Sequence, residues 1–518
     1  MAYYSLAFFG FVLLFVILHD IIGDMFPRHQ WIVRLLAGLS FFVHLSGVKV
    51  IFLIASALTI WSGALLMDQI DLHEKAFRKQ AGGTAEEKKA SKAAAKKKRK
   101  AVMAAVAVFN LALLVTVKFV FPICIHPIAV PIGISFYTLC AVSYTVDVYG
   151  QKYEAQPNFA KVLLYLCWFP QLIQGPINRY DLIQEDLYKT SKLHAPDIRY
   201  AVYLFLFGAI KKYAIADLLA PVVTASLNDN SGAFPGSFAL FGAFMFAIEQ
   251  YADFSGGIDM SMGVSLLFGV KMNENFRQPY FSTSLARFWR RWHISLGSFM
   301  RDYVFYPFVT TKPISKLNKY VSKRFGSHAG RALIGGISNI LVFALVGLWH
   351  GAEKHYLLWG LYNGIIIALS DALAPAFSSL NRILHIREEG RIMYCFRVFR
   401  TFMIIVFAGY FDVIGPARVS LKCFANTLLH FNAAEGMRMI SDLFTDGVTS
   451  VYAMTTAGIT TAALIVYSVM NERNMKPLDR LCGDRFYKRW AVFFPLIILL
   501  LYSFTVSSGV RGFMYAAF

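Results

Sequence analysis

The sequence predicts an all-α polytopic membrane protein, and three observations support that fold class. Of the 518 residues, 57% are hydrophobic and only 16% are charged, a composition unlike that of a soluble chain. Apolar runs of about 20 residues, long enough to cross a bilayer as helices, recur from end to end. These runs do not alternate with polar residues as the strands of a membrane barrel do. We therefore expect roughly 11–13 membrane helices, including re-entrant or interfacial segments, in a single membrane-embedded domain over residues 1–518.

The net charge of +20 favours a membrane over a nucleic acid as the partner. The basic residues stand in short connections between apolar runs, where they fix orientation in a bilayer. The largest basic block lies in the polar stretch at about 68–100, which we expect to be a cytoplasmic loop that is helical or partly ordered. Anchoring on anionic lipid explains this block, and a docking surface for an acidic cytoplasmic partner is the alternative.

Apolar runs begin at residue 5 and continue through the first third of the chain. The first run, 5–22, lacks a basic leading region and a cleavage site, so we expect it to be retained. Residues 131–149 and 159–177 are different, because prolines, glycines and polar side chains interrupt them. Such segments are tolerated at membrane depth where they line a cavity or pack within protein. They are candidate walls of an internal tunnel.

Charged side chains inside the next apolar runs predict buried or interfacial positions. Lys211, Lys212 and Asp217 suggest a helix end near an interface. Asp253 and Asp259 stand among glycines, and there we predict a hinge that divides residues 234–270 into two spans. Intramembrane carboxylates need partners. We favour pairing with an arginine over a catalytic role for these two aspartates.

Residues 284–308, here called the Arg/Trp segment, combine arginines with aromatic residues and read as an interfacial or re-entrant helix. On a single helix, one face would carry Trp289, Trp292, His293 and Leu296. The arginines, among them Arg290, Arg291 and Arg301, lie largely off that face. Headgroup anchoring is one role for them, and holding the phosphate groups of a donor is the other.

Residues 339–364 form the stretch around which the chain is organised. Two apolar runs, 340–348 and 356–369, are joined by a short polar hinge that starts with Trp349, His350 and Gly351. An ionisable group at the edge of a membrane segment is a functional candidate. The alternative is a histidine that water or a neighbouring helix satisfies.

His293 and His350 each follow a tryptophan, and this context suggests chemistry. A water-poor, Trp-walled pocket disfavours imidazolium and keeps a neutral nitrogen available to accept a proton. A general base of this kind activates a hydroxyl group for acyl transfer. Motifs for a hydrolase elbow, a nucleotide-binding loop and a zinc protease are missing. The six cysteines show no metal or disulfide spacing, so we expect neither a disulfide framework nor a zinc site. We also expect no tightly bound cofactor.

Several motifs, in order along the chain, resemble the membrane-bound O-acyltransferase family, and most closely its bacterial AlgI/DltB-like branch. The most specific are ARFWRRWHISLGSFMRDY at 286–303 and GLWHGA at 347–352. Supporting motifs are PIGISFYT at 131–138, FPQLIQGPI at 169–177, GAIKKYAIAD at 208–217, YADFSGGIDM at 251–260, NFRQPYFSTS at 275–284 and F-x-Y-x-x-F at 513–518.

The resemblance implies a core of this family's type around a tunnel, in a multi-pass protein of a bacterial cell membrane. It implies transfer of an acyl group from a cytoplasmic acyl-CoA or acyl-carrier-protein thioester to an extracytoplasmic polysaccharide or cell-wall polymer. By position, His350 falls on the family's essential histidine, which would make it the base or the acyl-accepting group. His293 falls on the family's second histidine. The residues expected to form the tunnel and hold the donor are Trp289, Arg290, Arg291, Trp292, Arg301, Asp302 and Trp349.

The resemblance also implies a partner, an extracytoplasmic SGNH-type or DltD/AlgJ-like transferase that completes the transfer. Acetyl is the favoured group, and D-alanyl transfer to teichoic acid is the nearest variant. Alginate-type members follow the Arg-Asp motif with a short Gly-Gly loop, whereas residues 306–326 form a longer basic connection here, which speaks against alginate as the acceptor. A transporter or flippase is the rival from another class, since broken helices also mark substrate pathways, and a non-catalytic scaffold is a third alternative.

Overall fold

The computed structural model describes residues 5–80, 84–120, 130–229, 231–507, 509 and 511–513, without the side chains of Gln80 and Ile173. The described chain is helical, and its only strand-like pairing is an isolated antiparallel bridge between Phe276 and Trp292. The all-α prediction is confirmed. Beyond Phe513, the C-terminal motif lies outside the described residues.

Seven helical segments of the described chain are long and apolar enough to cross a membrane. They are Leu6–Met25, Pro27–Lys79, Ala85–Val120, Ser327–His350, Arg391–Val413, Val451–Glu472 and Phe486–Val506. A pair bent by 55°, Lys354–Ala372 with Ala374–Ile383, brings the number to eight if it counts as one span. The predicted 11–13 segments also counted shorter, polar and interrupted helices that do not belong to this set.

The described residues group into two units, of which the first comprises Met1–Val202 and Ser261–Asn273. Its helices are α1 (Leu6–Met25), α2 (Gln30–Ser46), α3 (Val50–Gln80), α4 (Ala85–Val115), α5 (Ile134–Tyr149), α6 (Phe159–Cys167), α7 (Phe169–Gln174), α8 (Tyr180–Tyr188) and the start of α9 (Ala195–Lys211). The single domain over residues 1–518 stays a prediction.

A buried arginine joins three segments of the first unit by hydrogen bonds. Arg34, on α2, is fully buried, and its guanidinium donates hydrogen bonds to the carbonyl groups of Leu187 and Lys189 over 2.9 Å each and of Phe268 over 3.0 Å. It also donates to the Ser191 hydroxyl over 2.8 Å. Guanidinium is the cation best suited to such a site, because its fork of donors satisfies several acceptors at once.

The basic stretch at about 68–100 is helical wherever it is described. Helix α4 begins with a capping box, in which Thr84 accepts from the Glu87 backbone and the Glu87 carboxylate accepts from the Thr84 backbone. This arrangement satisfies two of the free N–H groups of the first turn. The expected helical character of this stretch is therefore confirmed for the end of α3 and the start of α4, and its cytoplasmic location stays a prediction.

The second unit comprises Tyr203–Met260 and Glu274–Phe518. Its helices after α9 are α10 (Asp217–Leu227), α11 (Gly236–Leu266), α12 (Leu285–Trp289), α13 (Ile294–Met300), α14 (Tyr306–Val309), α15 (Lys312–Phe325), α16 (Ser327–His350), α17 (Lys354–Ala372), α18 (Ala374–Ile383), α19 (Arg391–Val413), α20 (Ala417–Leu429), α21 (Ala433–Thr445), α22 (Val451–Glu472), α23 (Pro477–Gly483) and α24 (Phe486–Val506).

The predicted hinge within residues 234–270 is wrong, because α11 runs unbroken from Gly236 to Leu266. Glycine lowers helix propensity but does not remove a backbone donor as proline does. Gly256 has a packing role instead. A Cβ atom there would lie 2.7 Å from the Gly208 carbonyl oxygen, so the glycine lets α9 and α11 approach closely, as small residues do between membrane helices.

Two lysines, rather than arginines, pair the aspartates of α11. The Lys212 ammonium lies 2.6 Å from an Asp253 oxygen and 2.8 Å from an Asp217 oxygen, and the Lys211 ammonium lies 2.6 Å from Asp259. Both lysines are buried, and α9 ends at Lys211; the position of this helix end near an interface stays a prediction. Both aspartates are therefore paired, as carboxylates within a membrane segment require, but by lysine rather than by the predicted arginine.

Helices α16 and α17 form a tight hairpin, which positions the hinge residues. A Cβ atom on Gly347 would lie 2.3 Å from the Tyr356 carbonyl oxygen, and one on Gly360 would lie 2.2 Å from that of Phe343. Only glycine permits backbones to approach so closely. This contact fixes the end of α16, and with it His350, against the start of α17.

Candidate active site

His350 is the last residue of α16, and only residues 351–353 separate it from α17. The predicted hinge between two apolar helices is confirmed. Gly351 follows in an extended conformation, and a Cβ atom on it would lie 2.5 Å from the Tyr356 ring. The Tyr356 ring therefore packs directly on the backbone next to His350.

Aromatic side chains surround the His350 imidazole, which is only 4% exposed. Its ring centroid lies 5.3 Å from that of Trp349, 5.1 Å from that of Trp359 and 6.1 Å from that of Tyr356. Large apolar surfaces of this kind displace water. The expected Trp-walled environment of the imidazole is present.

The Arg/Trp segment is not one helix, which corrects our expectation. Helix α12 ends at Trp289 and α13 begins at Ile294, and between them His293 has a left-handed φ of 46°. A single helix cannot pass through such a residue. The helical face predicted for Trp289, Trp292, His293 and Leu296 therefore does not exist as such.

Asn275, distant in sequence, holds the break in place. Its backbone carbonyl accepts from the Ile294 N–H over 3.0 Å. Its side-chain oxygen accepts from the backbone N–H and the hydroxyl of Ser295, over 2.9 Å each, and its amide lies 3.2 Å from the His293 Nδ1 atom. These contacts join residues about 20 positions apart, so the helical periodicity of the sequence could not predict them.

A cavity of about 400 Å³ lies beside the Arg/Trp segment. Its lining includes the predicted residues Trp289, Arg290, Trp292, His293 and Arg301. Phe343 and Val346 of α16 and Ile367 of α17 complete the wall with apolar side chains. The break at His293 thus brings together residues that a single helix was expected to align. The cavity is mainly apolar, with two arginines and one histidine, a composition typical of ligand sites.

Trp349 connects the two histidines. Its ring centroid lies 6.4 Å from that of His293 and 5.3 Å from that of His350. His293 is buried, and burial, with a smaller contribution from His350, lowers its pKa to about 3. The His293 imidazole is therefore neutral over the physiological pH range.

The predicted arginines have different surroundings. The Arg291 guanidinium forms two hydrogen bonds of 3.0 Å with the Glu472 carboxylate on α22. Arg301 pairs with its neighbour Asp302 over 2.8 Å. Arg290 is exposed and lines the cavity. Arg290 and Arg301 thus line the cavity, whereas Arg291 forms an ion pair with Glu472.

Sequence reasoning missed three residues that support this arrangement. Asn363, fully buried on α17, accepts from the Trp289 indole over 3.1 Å and donates to the Trp359 carbonyl over 2.9 Å. Asn275 holds the His293 turn, as described above. His355 lies 2.9 Å from the Phe411 carbonyl oxygen and 2.6 Å from the Glu353 carboxylate. A polar residue within an apolar run, as at Asn363, was the available signal.

Within the described parts of the chain, no group of three or more His, Cys, Asp or Glu side chains is arranged to hold a metal ion.

A family model, described as MBOAT, membrane-bound O-acyltransferase family, matches residues 98–414. The chain belongs to the membrane-bound O-acyltransferase family. Both histidines, the Arg/Trp segment and Asn363 lie within the matched residues, whereas Glu472 lies outside them. The family resemblance seen in the sequence motifs is confirmed, and the chain is a multi-pass membrane protein.

Three relatives of this chain are named for different acyl-transfer reactions. The chain is 36% identical over 255 residues to "Probable alginate O-acetylase AlgI" of Azotobacter vinelandii, a match to 49% of this chain and 46% of that protein. It is 29% identical over 272 residues to "Peptidoglycan O-acetyltransferase" of Helicobacter pylori, covering 48% of each chain. It is 29% identical over 247 residues to "Teichoic acid D-alanyltransferase" of Bacillus subtilis, covering 46% of this chain and 58% of that one. The chain therefore spans about half the length of the relatives it matches.

Proposed function

We propose that this chain is an O-acyltransferase of a bacterial cytoplasmic membrane. It moves an acetyl group from a cytoplasmic thioester to hydroxyl groups of an extracytoplasmic polysaccharide or cell-wall polymer. Membership of the membrane-bound O-acyltransferase family supports the reaction class. The relatives named for alginate O-acetylation and peptidoglycan O-acetylation support the acceptor class.

The observation that carries the proposal is the burial of His350 and His293 against one indole, that of Trp349. An imidazole held at a helix end among aromatic rings is sheltered from water, which would otherwise hydrolyse an activated acyl group. The adjoining cavity at His293 supplies space for a donor. Because His350 resembles the family's essential histidine by position, we propose it as the base.

In the proposed step, the His350 imidazole accepts the proton of an acceptor hydroxyl as the oxygen attacks the thioester carbonyl carbon. A carbon–oxygen bond forms and the carbon–sulfur bond breaks. The sulfur leaves as a thiolate and takes the proton from the imidazolium, which restores neutral His350. The products are an ester and a free thiol, so atoms and charges balance.

The cavity beside the Arg/Trp segment is our candidate donor site. Its apolar wall suits the thioester arm of acyl-CoA or of an acyl-carrier protein, and Arg290 and Arg301 suit the donor's phosphate groups. His293 borders this cavity and orients the donor. A membrane-anchored or secreted transferase of SGNH or DltD/AlgJ type is the proposed extracytoplasmic partner.

D-alanyl transfer is the nearest variant, because one relative is named for it at 29% identity. Acetyl is favoured since the relatives named for alginate O-acetylation are more similar, at 36%. The mass added to the polymer in cells with and without this protein distinguishes the two groups.

The test of the proposal is His350→Ala in cells, with ester-linked acyl groups on the polymer measured by alkaline release. We expect a loss of about a hundredfold or more at unchanged membrane abundance. His328→Ala is the matched control, since His328 is an exposed histidine of the same helix. Acylation that persists in the His350→Ala cells contradicts the proposed chemistry.

A further inference from the structure

A second histidine, His355, lies beside the hinge, and the proposed step does not use it. It stands in the first turn of α17, five residues after His350, and is only 3% exposed. Both ring nitrogens contact oxygen atoms of other residues. The Nδ1 atom lies 2.9 Å from the Phe411 carbonyl oxygen, and the Nε2 atom lies 2.6 Å from a carboxylate oxygen of Glu353. The ring is therefore held between two acceptors.

These two contacts determine the charge of the His355 ring. A backbone carbonyl oxygen only accepts hydrogen bonds, so the Nδ1 atom carries a hydrogen and donates it. The Glu353 side chain is 72% exposed, and a carboxyl group in contact with water is ionised at neutral pH and likewise only accepts. The Nε2 atom therefore carries a hydrogen as well. With hydrogen on both nitrogens, the ring is an imidazolium cation.

The surroundings of the ring favour this cation. The Phe411 carbonyl belongs to the last turn of α19, which ends at Val413. Carbonyl groups of a last turn have no N–H partner within the helix and carry the negative end of its dipole. The carboxyl group of Asp412, in the same turn, also interacts electrostatically with His355. The imidazolium thus satisfies a carbonyl that the helix leaves free, and it bonds Glu353 of the hinge with its other nitrogen.

Tyr356 connects this ion pair to the proposed base. Its ring centroid lies 4.0 Å from that of His355 and 6.1 Å from that of His350. The same ring packs on Gly351, the residue after His350, where a Cβ atom would lie 2.5 Å from it. Residues 352–354 are exposed, so packing alone holds this part of the hinge weakly. The two bonds of His355 attach it to α19.

We propose that His355 is a positioning residue for acyl transfer. Its imidazolium attaches the hinge to the end of α19, and through Tyr356 it holds His350 in the orientation that the proposed step needs. The inference rests on the proposed function and adds to it a residue that does not touch the reacting atoms. Hydrogen bonds of charged groups are about twice as strong as neutral ones, and a displacement of about 1 Å in an active site can lower the rate about a hundredfold. An imidazolium is therefore well suited to fix a catalytic hinge.

The first test measures ester-linked acyl groups on the polymer in cells, per molecule of this protein in the membrane. His355→Leu removes both hydrogen bonds, and we expect acylation to fall about tenfold. His355→Asn keeps an amide donor near the position of the Nδ1 atom, and His355→Gln keeps one near that of the Nε2 atom. Each of these variants retains one bond, so each should lose only about threefold. His328→Asn, at an exposed position of α16, is the matched control.

A double-mutant comparison tests the bond between His355 and Glu353. Glu353→Ala should lower acylation about threefold in the wild-type protein, but it should have no further effect in the His355→Asn variant, because the bond that it removes is already lost. Glu389→Ala, at an exposed glutamate, is the control for the change in surface charge. Thermal unfolding in lipid nanodiscs shows which variants are folded, and the two amide variants serve if His355→Leu is not. Wild-type acylation by every folded His355 variant, or an equal effect of Glu353→Ala in both backgrounds, overturns the inference.

A second measurement does not depend on activity. In the full-length protein with isotope-labelled histidine, NMR shows whether each ring nitrogen carries a hydrogen. Loss of signals in His355→Asn and in His350→Ala assigns the two rings. We expect His355 to show two protonated nitrogens, and the His350 signals to shift in His355→Asn but not in His328→Asn. A neutral His355 ring, or His350 signals that do not respond to His355, overturns the inference.

The two proposals fail in different ways. If polymer acylation depends on His350 but not on His355, the proposed function stands and the positioning role is wrong. If the His355 ring is charged and the His350 signals respond to its loss, but wild-type cells carry no acyl groups on the polymer, the contact between hinge and α19 stands and the proposed function is wrong.

Discussion

The Trp289 indole donates a hydrogen bond to the Asn363 side-chain oxygen over 3.1 Å, and this contact joins the Arg/Trp segment to α17. Trp359 adds a second connection, since its ring lies 5.4 Å from that of Trp289 and 5.1 Å from that of His350. The wall of the donor cavity and the imidazole of the proposed base are therefore held by the same helix. Changes on α17 should affect both.

Asn363→Leu removes the acceptor of the Trp289 indole and leaves a buried N–H group without a partner. We expect a loss of about 1–3 kcal/mol in the free energy of unfolding and a fall in acyl transfer beyond that caused by lower abundance. Unfolding in detergent and polymer acylation are the measurements. Tyr362→Phe, the control, removes a bond of 2.9 Å to the Ile404 carbonyl and should spare transfer. Equal transfer by the two variants would contradict a positioning role for Asn363.

Asn275→Ala should disturb His293 without touching the cavity. The substitution deletes the contacts to His293 and Ser295 that hold the left-handed turn. We expect acyl transfer to fall about tenfold, chiefly through KM for the donor, as is typical when a positioning group is lost. His293→Ala should lower transfer more than stability. Normal acyl transfer by the His293→Ala variant would show that His293 has only a packing role.

Lys212→Met tests the buried charge cluster. The substitution leaves Asp217 and Asp253 buried without their cation, and we expect a destabilisation of about 3–5 kcal/mol. Thermal unfolding of the purified protein measures it. Lys319→Met, at an exposed position of α15, should change stability by less than about 0.5 kcal/mol. A small effect of Lys212→Met would mean that the aspartates are neutral in the folded protein.

Replacing either of two glycines in the α16–α17 hairpin by alanine should change the stability of the protein, in opposite directions for the two positions. A Cβ atom on Gly360 would lie 2.2 Å from the Phe343 carbonyl oxygen, whereas one on Gly335 would meet nothing within 4 Å. Gly360→Ala should destabilise the protein by about 1–3 kcal/mol, and Gly335→Ala should stabilise it by up to about 1 kcal/mol. Unfolding midpoints measure both. Similar shifts of the unfolding midpoint in the two variants would show that helices α16 and α17 can move apart at little cost.

Local signals explain what could be predicted from the sequence. The hinge at His350 follows from an apolar run, a polar interruption and a glycine, all within a few residues. The membrane helices follow in the same way from length and composition. The turn at His293 could not be predicted, because Asn275 creates it from 18 positions away. The unbroken course of α11 escaped prediction for a related reason, since Gly256 serves contact with α9 rather than a break in the helix.

The ion pair of Arg291 with Glu472 has a consequence for the boundaries of the folded protein. The family model ends at residue 414, but the Arg291 side chain, within that matched region, pairs with a carboxylate on α22. A fragment cut at the family boundary would leave this guanidinium without its partner. The smallest unit able to keep the Arg/Trp segment in its native shape must therefore extend past Glu472, well beyond the part of the chain that defines the family.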